Sequence, residues 1–259
     1  MVWPLSEGTF TVNESKKFVP FDPLKDSIAD RPASLIADVV PFLIKTKKDL
    51  IIIDPGLGFQ AEDSNFIVHK NLLRHGFSAE EITLVLLSHL HKDHAGGICY
   101  DNAGTFHLMF PNADYYGQQK EMKYALTKIN SPSYELDKLN FLRRSPQWKP
   151  LDGDGDIGGE IHFEISGGHT PYHQVFIIQS DNQKFFYGGD VLPQSSQIIR
   201  RFVANYDFDG KMSARLREKY AKLGAAENYC FLFFHDGKIP LARLHTMNNR
   251  FEIEAFPGI

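Results

Sequence analysis

The chain has only two cysteines, Cys99 and Cys230, far apart in 259 residues. A disulfide-stapled scaffold is excluded, and free thiols in a reducing compartment are the expectation. No apolar run reaches about 18 residues, so nothing reads as a membrane span. Lys and Arg are scattered, the formal net charge is −4, and the pair Arg200-Arg201 is too short to form a basic tract. A nucleic-acid surface is therefore not expected. The opening Met1-Val2-Trp3-Pro4-Leu5-Ser6-Glu7 has no basic segment followed by an apolar core. No secretory leader is expected, and the cytoplasm is the expected location. There is no glycine-rich nucleotide loop, because Gly153, Gly155, Gly158 and Gly159 lie in an acidic stretch that would repel phosphate. Asp152-Gly153-Asp154-Gly155-Asp156 is not a calcium loop either. Ile157 and Phe163 stand where such a loop needs a glycine and a carboxylate. A polar turn between strands is the better reading. Neither internal repeats nor low-complexity linkers are present.

What remains is an ordinary globular composition, 42% hydrophobic and 23% charged, long enough for one large domain or two small ones. Strands and helices alternate in two series. In the first, Asp49 to Ile53 reads as a buried strand and Asp63 to Arg74 as a helix stopped by Gly76. Ile82 to Leu87 is a strand buried on both faces, led in by Ser78-Ala79-Glu80-Glu81 with capping-box spacing. Thr105 to Met109 is a further strand and Gly117 to Leu126 a further helix. In the second series, Ile161 to Ile165, Gln174 to Gln179 and Lys184 to Tyr187 are strands. The last two are joined by the turn Ser180-Asp181-Asn182-Gln183. Lys211 to Leu223 is an amphipathic helix, with Gly224 as its expected stop, and Tyr229 to Phe234 is a last buried strand. Two half-sheets with helices beside them fit a four-layer α/β arrangement.

The densest chemistry lies in Leu87-Ser88-His89-Leu90-His91-Lys92-Asp93-His94-Ala95-Gly96-Gly97. Three imidazoles and a carboxylate fall within six residues, and this spacing lets one tight loop offer all four to a divalent metal. The glycine pair is expected to let the backbone turn sharply. The loop sits at the C-terminal end of a buried strand, where layered α/β proteins usually carry catalytic groups. One loop cannot close two metal shells. Three further candidates stand just past apolar runs: His169 in Ser166-Gly167-Gly168-His169-Thr170-Pro171, Asp190 in Tyr187-Gly188-Gly189-Asp190, and His235 in Phe233-Phe234-His235-Asp236-Gly237.

With these motifs in this order, from about Val39 to Leu244, the chain resembles the metallo-β-lactamase superfamily. The resemblance implies an αββα sandwich, a single such domain over 1–259 with residues 1–35 as an N-terminal extension or arm, and a dinuclear metal centre. His89, His91 and His169 would bind one ion. Asp93, His94 and His235 would bind the other, and Asp190 would bridge both. Asp54, in an Asp-x-Gly turn, would orient a ligand histidine from behind, and His173 resembles another supporting position. His69, His75, His107, His162 and His245 match no ligand motif. The metals implied are zinc, with manganese, iron or cobalt compatible with the same donors.

The implied chemistry is hydrolysis by a metal-bridging hydroxide, with Asp93 orienting the attacker and passing a proton to the leaving oxygen. Asp190 argues against true β-lactamases, which lack the bridging Asp. His91 argues against flavo-diiron proteins, which change an early His to Glu. Glyoxalase-type thioesterases carry a C-terminal helical domain, which is not expected here, since the stretch after His235 is short and contains Pro240 and Pro257. The added arm and later His motif of ribonuclease-type members are not visible. The spelling around His89 and around His169 is similar to N-acyl homoserine lactone lactonases and methyl parathion hydrolases. The expected substrate is thus a small lactone or ester with an apolar part, an N-acyl homoserine lactone among the candidates. A phosphotriester or aryl ester is the alternative, and a homodimer is compatible with the Thr9 to Asp22 segment acting as an arm. Those lactonases have a Tyr soon after the bridging Asp. Here Val191-Leu192-Pro193-Gln194 follows, and Tyr206 is the candidate substitute. Phe18, Phe21, Tyr115, Tyr116, Tyr134 and Phe141 are candidates for an apolar pocket wall.

Overall fold

The computed structural model describes residues 1–248 and 250–256. Two sheets lie at its centre. The six-stranded one runs, edge to edge, Val2–Pro4, Phe42–Lys45, Leu50–Ile53, Leu84–Leu86, Asp114–Gln118, Trp148–Leu151. Its first three strands are antiparallel and its last four parallel. The seven-stranded one runs Gly155–Ile157, Ile161–Ile165, Gln174–Ser180, Gln183–Tyr187, Cys230–Leu232, Leu241–Met247, Arg250–Ala255.

The layers follow from which side each strand residue faces. Along Leu50–Ile53, Leu50 and Ile52 join a core with Val68, Leu72, Met122 and Leu139, which come from helices on the outer face. Ile51 and Ile53 point the other way, into a core with Phe176, Phe185, Tyr187 and Leu232 of the second sheet. A third core packs the far side of that sheet, through Phe186, Phe231 and Leu244, against Tyr220 and Ala221 of the helix Gly210–Ala226. Helix, sheet, sheet, helix is the αββα sandwich, and strands apolar on both faces are its consequence.

Local chemistry explains most boundaries. Ser78 and Glu81 form a capping box on the short helical turn Ala79–Glu81. Ser180 pairs with Gln183, and Asp181 takes the left-handed φ of 52° between them. The helix expected from Asp63 begins instead at Ile67, because Gln60 and Phe66 bridge and the Ile67 amide donates to the Phe59 carbonyl at 2.9 Å. Gly224 is not a stop. The helix continues to Ala226, and a Cβ on Gly224 would lie 2.1 Å from Phe231 Cζ, so the glycine lets helix and sheet approach. The pair Gly96-Gly97 also serves packing, since neither has a positive φ and their Cβ atoms would lie 2.6 Å and 2.3 Å from the carbonyls of Leu57 and Pro55.

Residues 1–35 lie within the structure. Val2–Pro4 pairs with Phe42–Lys45, and Leu5 is fully buried. Gly8–Val12 pairs with Val19–Pro20 and Leu35–Val39 in a small separate sheet.

Candidate metal centre

Five strand ends converge on one edge of the sandwich. Asp54 follows Leu50–Ile53, and Ser88 and His89 follow Leu84–Leu86. His169 lies beyond Ile161–Ile165, Asp190 beyond Gln183–Tyr187, and His235 beyond Cys230–Leu232. Between His91 and Ala95 the chain makes one helical turn, Lys92–Ala95. That turn separates His91 from Asp93 and His94, so one loop serves two neighbouring places.

The donor atoms form two groups. His89 Nε2 and His91 Nδ1 are 3.1 Å apart, and His91 Nδ1 and His169 Nε2 are 3.0 Å apart. In the second group, His94 Nε2 lies 3.8 Å and His235 Nε2 3.6 Å from Asp93 Oδ2. Within each group the donor atoms lie within 4.8 Å of one another. Asp190 stands between them. Its Oδ2 is 3.2 Å from His169 Nε2, while its Oδ1 is 3.1 Å from His94 Nε2 and 3.2 Å from His235 Nε2.

The far side of each imidazole sets its tautomer. His94 Nδ1 donates to Asp54 Oδ2 at 2.8 Å, His169 Nδ1 to Asp207 Oδ1 at 2.8 Å, and His235 Nδ1 to the Asp38 carbonyl at 2.6 Å. His89 Nδ1 donates to Ser88 Oγ at 3.0 Å, and that hydroxyl in turn donates to Asp54. These four rings are thus oriented with Nε2 toward the donor groups, while His91 offers Nδ1. Asp54 also accepts from Tyr187 Oη at 2.6 Å and from the Ser88 amide at 2.8 Å. With four donors upon it, this carboxylate is an anchor. His173 accepts from the Asp190 amide through Nε2 at 3.1 Å and contacts Ser166 Oγ through Nδ1 at 2.7 Å. It supports the backbone of Asp190 and stands outside both groups.

The donor set fits divalent cations. His94 Nε2 and Asp190 Oδ1 are buried and have no hydrogen-bond partner. Such atoms are unfavourable unless something satisfies them, and a borderline-soft divalent ion does so for nitrogen and oxygen together. Electrostatics agree. Burial holds His89 and His91 well below the ordinary histidine pKa. Burial also opposes a proton on His94, yet Asp190 and Asp93 outweigh it and raise that pKa well above the ordinary value. The surroundings of His94 therefore favour positive charge.

Several participants escaped the sequence reading. Ser88 and Tyr187 bind Asp54. Asp207 fixes His169, and Phe234 stacks on His94 with ring centres 4.0 Å apart. Arg217 donates through Nε to the Val191 carbonyl at 2.6 Å, next to Asp190, and through Nη1 to the Phe202 carbonyl at 2.6 Å. Glu121, which burial pushes up to about 7, accepts from Thr170 Oγ1 at 2.8 Å beside His169. Glu7 accepts from the amides of Leu57, Gly58 and Phe59, just beyond Asp54. Ser88 abuts the motif and Tyr187 ends a strand, so both were within reach of the sequence. Asp207 and Arg217 carry no local signal. Among the described residues, His69, His75, His107, His162 and His245 enter neither group.

A cavity of about 590 Å³ opens in front of the donors. Phe18 and Tyr206 line it, the Tyr206 ring standing edge-on to His169 with centres 6.2 Å apart. Tyr134 packs on His91 with ring centres 4.9 Å apart. Tyr115 is wholly buried, its hydroxyl accepting from the Phe110 amide, and Phe141 and Tyr116 pack on the cores. Those three, Phe21 and Tyr134 do not line the cavity.

Comparison with known proteins agrees with this geometry. Residues 38–230 match the metallo-beta-lactamase superfamily, and the chain belongs to that superfamily. Among sequence relatives, the N-acyl homoserine lactonase AttM of Azorhizobium caulinodans is 28% identical over 154 residues, covering 57% of this chain and 50% of that protein. AttM of Agrobacterium fabrum is 29% identical over 115 residues, 42% of this chain and 40% of its own length. The chain therefore spans about half the length of the curated relatives it matches, or less. Two solved structures share the fold from end to end. A probable metal-dependent hydrolase from Staphylococcus aureus has a TM-score of 0.78 at 23% identity, covering 100% of this chain and 98% of that one. The dizinc quorum-quenching lactonase AidC, bound to N-hexanoyl-L-homoserine, has a TM-score of 0.75 at 23% identity, with 100% and 95% covered.

Proposed function

We propose that this protein is a dinuclear metal-dependent hydrolase that opens a lactone or ester bond, N-acyl homoserine lactones being the first candidates. The observation that carries this reading is Asp190, whose two oxygens face separate nitrogen clusters. His89, His91 and His169 would hold one ion and Asp93, His94 and His235 the other, with Asp190 shared. Zinc suits these donors best. Bound there, such ions supply Lewis acidity toward a carbonyl and activate water at neutral pH.

The chain's own residues do the rest. Asp93 reaches into the cavity and serves as the proton carrier between the attacking water and the leaving oxygen. Tyr206, whose hydroxyl burial pushes above its ordinary pKa, stays protonated and can donate a hydrogen bond to the substrate. This supports it as the substitute for the tyrosine missing after Asp190. Apolar side chains of the cavity would hold an acyl chain and exclude water. The sequence relatives named lactonases support the substrate class.

The test is proton release from a long-chain N-acyl homoserine lactone by protein loaded with zinc or manganese, beside a His91→Ala control. Fast, metal-dependent release that disappears in the control is expected. No release from protein holding both ions would discard the lactone. Aryl esters and phosphotriesters would then be the substrates to try, the second reading that the Val191-Leu192-Pro193-Gln194 stretch favours.

A further inference from the structure

The charges around the cavity divide sharply. Its lining carboxylates are Asp93, of the second donor group, and Asp190, which stands between the two groups. Its lining cations are Lys16, Lys92 and Arg200. Among the described residues none of the three makes an ion pair or a side-chain hydrogen bond. Glu135, whose charge Lys92 feels, pairs with Lys138 at 2.8 Å instead. Some basic side chains outside the cavity do pair, as Arg31 does with Asp26 at 3.0 Å and Lys219 with Glu164 at 2.7 Å. Once the two carboxylates are neutralised by bound cations, the cavity of a chain with net charge −4 is locally positive.

Lys16 carries a second signal. Its φ is 54°, in the left-handed region where glycine or asparagine fits more easily. It closes a turn in which its amide donates to the Asn13 carbonyl at 2.9 Å. The strained turn directs a half-buried lysine to the same cavity as His91. A half-buried lysine whose ammonium has no partner among the described residues is available to an anionic ligand in the cavity. Beside it, Leu35 and Ile36 line the cavity while 60% and 46% exposed, and Phe202 does so at 42%.

We propose that the substrate carries a negative charge apart from its scissile carbonyl, bound by Lys16 and Arg200, with an apolar stretch lying on Leu35, Ile36 and Phe202. An acyl chain bearing a second carboxylate has this chemistry. An acyl homoserine lactone fits this chemistry where its acyl chain carries such a charge. The inference rests on the hydrolase reading for its scissile bond and on the cavity alone for its anion.

The experiment has a binding arm and a turnover arm, both on zinc-loaded protein. Calorimetry compares dicarboxylates from glutarate to sebacate with monocarboxylates of the same length. One carboxylate occupies the donor end in both, and only the dicarboxylates offer a second. At the best chain length the dicarboxylate binds about tenfold tighter. That preference shrinks toward parity in Lys16→Gln/Arg200→Gln, and also at high salt. If the double variant melts early, Arg200→Gln alone, at an exposed position, narrows the gap in the same direction. Equal affinities, or tighter monocarboxylates, overturn the proposal. The turnover arm compares the mono-p-nitrophenyl ester of the best dicarboxylate with the same ester methylated at its free end. A higher kcat/KM for the charged ester supports the proposal, and a higher value for the methylated one overturns it. If neither ester is cleaved although the dicarboxylate preference holds, the hydrolase reading fails and the anion site stands.

Discussion

Replacing Asp54 by Asn removes a charge and an acceptor with almost no change in volume. The Asp54 carboxylate is fully buried and accepts from the Ser88 amide on one oxygen. The other oxygen accepts from the Ser88 hydroxyl, Tyr187 Oη and His94 Nδ1. An asparagine has one acceptor oxygen. With its amide nitrogen toward the Ser88 N–H, one donor faces another. Turned round, it faces three. The first orientation is the milder and leaves one buried N–H unpaired, worth about 1–3 kcal/mol. It also removes the charge from the remaining bonds, so a total of about 2–4 kcal/mol is expected. At about 2–4 °C per kcal/mol, Tm falls by about 4–16 °C. The second effect falls on His94, whose Nδ1–H loses its charged acceptor. Metal affinity should drop by about 10–100-fold. Melting of the metal-free protein reads the first effect, and zinc competition with a fluorescent chelator the second. An Asp54→Asn protein with unchanged Tm and unchanged zinc affinity would refute the anchor role.

The Asp93→Asn variant should keep zinc in the first group and lose turnover by at least about 100-fold; wild-type rates with both ions bound would remove Asp93 from the chemistry. In Gly224→Ala the new Cβ meets Phe231 at 2.1 Å, so a loss of about 1–3 kcal/mol is expected in urea melts, and an unchanged midpoint contradicts the close packing. Glu7 is driven by burial, against three backbone N–H bonds, from 4.5 to about 7. Its folded pKa exceeds its unfolded one. The stability it contributes is therefore full below about pH 4.5 and is lost as pH rises through about 7, by about 3 kcal/mol. Denaturation of the metal-free Glu7→Gln variant should lack that decline, and a profile parallel to wild type would show that Glu7 does not cause it.

Much of the fold and of the donor set was legible in the sequence because both rest on local signals. Apolar runs such as Ile82 to Leu87 read as buried strands since both of their faces are covered. His89 to His94 stand out by density, and His169, Asp190 and His235 by their places after strands. What was illegible depends on contacts between distant segments. Asp207 meets His169 across 38 residues, and Asp38 meets His235 across 197. Glu7 reaches the loop after Asp54 from a segment read as an extension. Gly224 looked like a helix stop because a glycine after an amphipathic stripe usually is one, and only the position of Phe231 shows why it lies inside the helix. The strands Leu241–Met247 and Arg250–Ala255 were missed because their outer positions are polar. Tyr115 and Phe141 were indistinguishable from pocket residues by composition, though they belong to the core.

The central claim is that two ions act together between these imidazoles. The most direct measurement is titration of chelator-stripped protein with zinc while aryl-ester or lactone hydrolysis is followed. The account predicts negligible activity at the start and a plateau reached at two equivalents per chain. Full activity in the stripped protein, or a plateau at one equivalent, would contradict it.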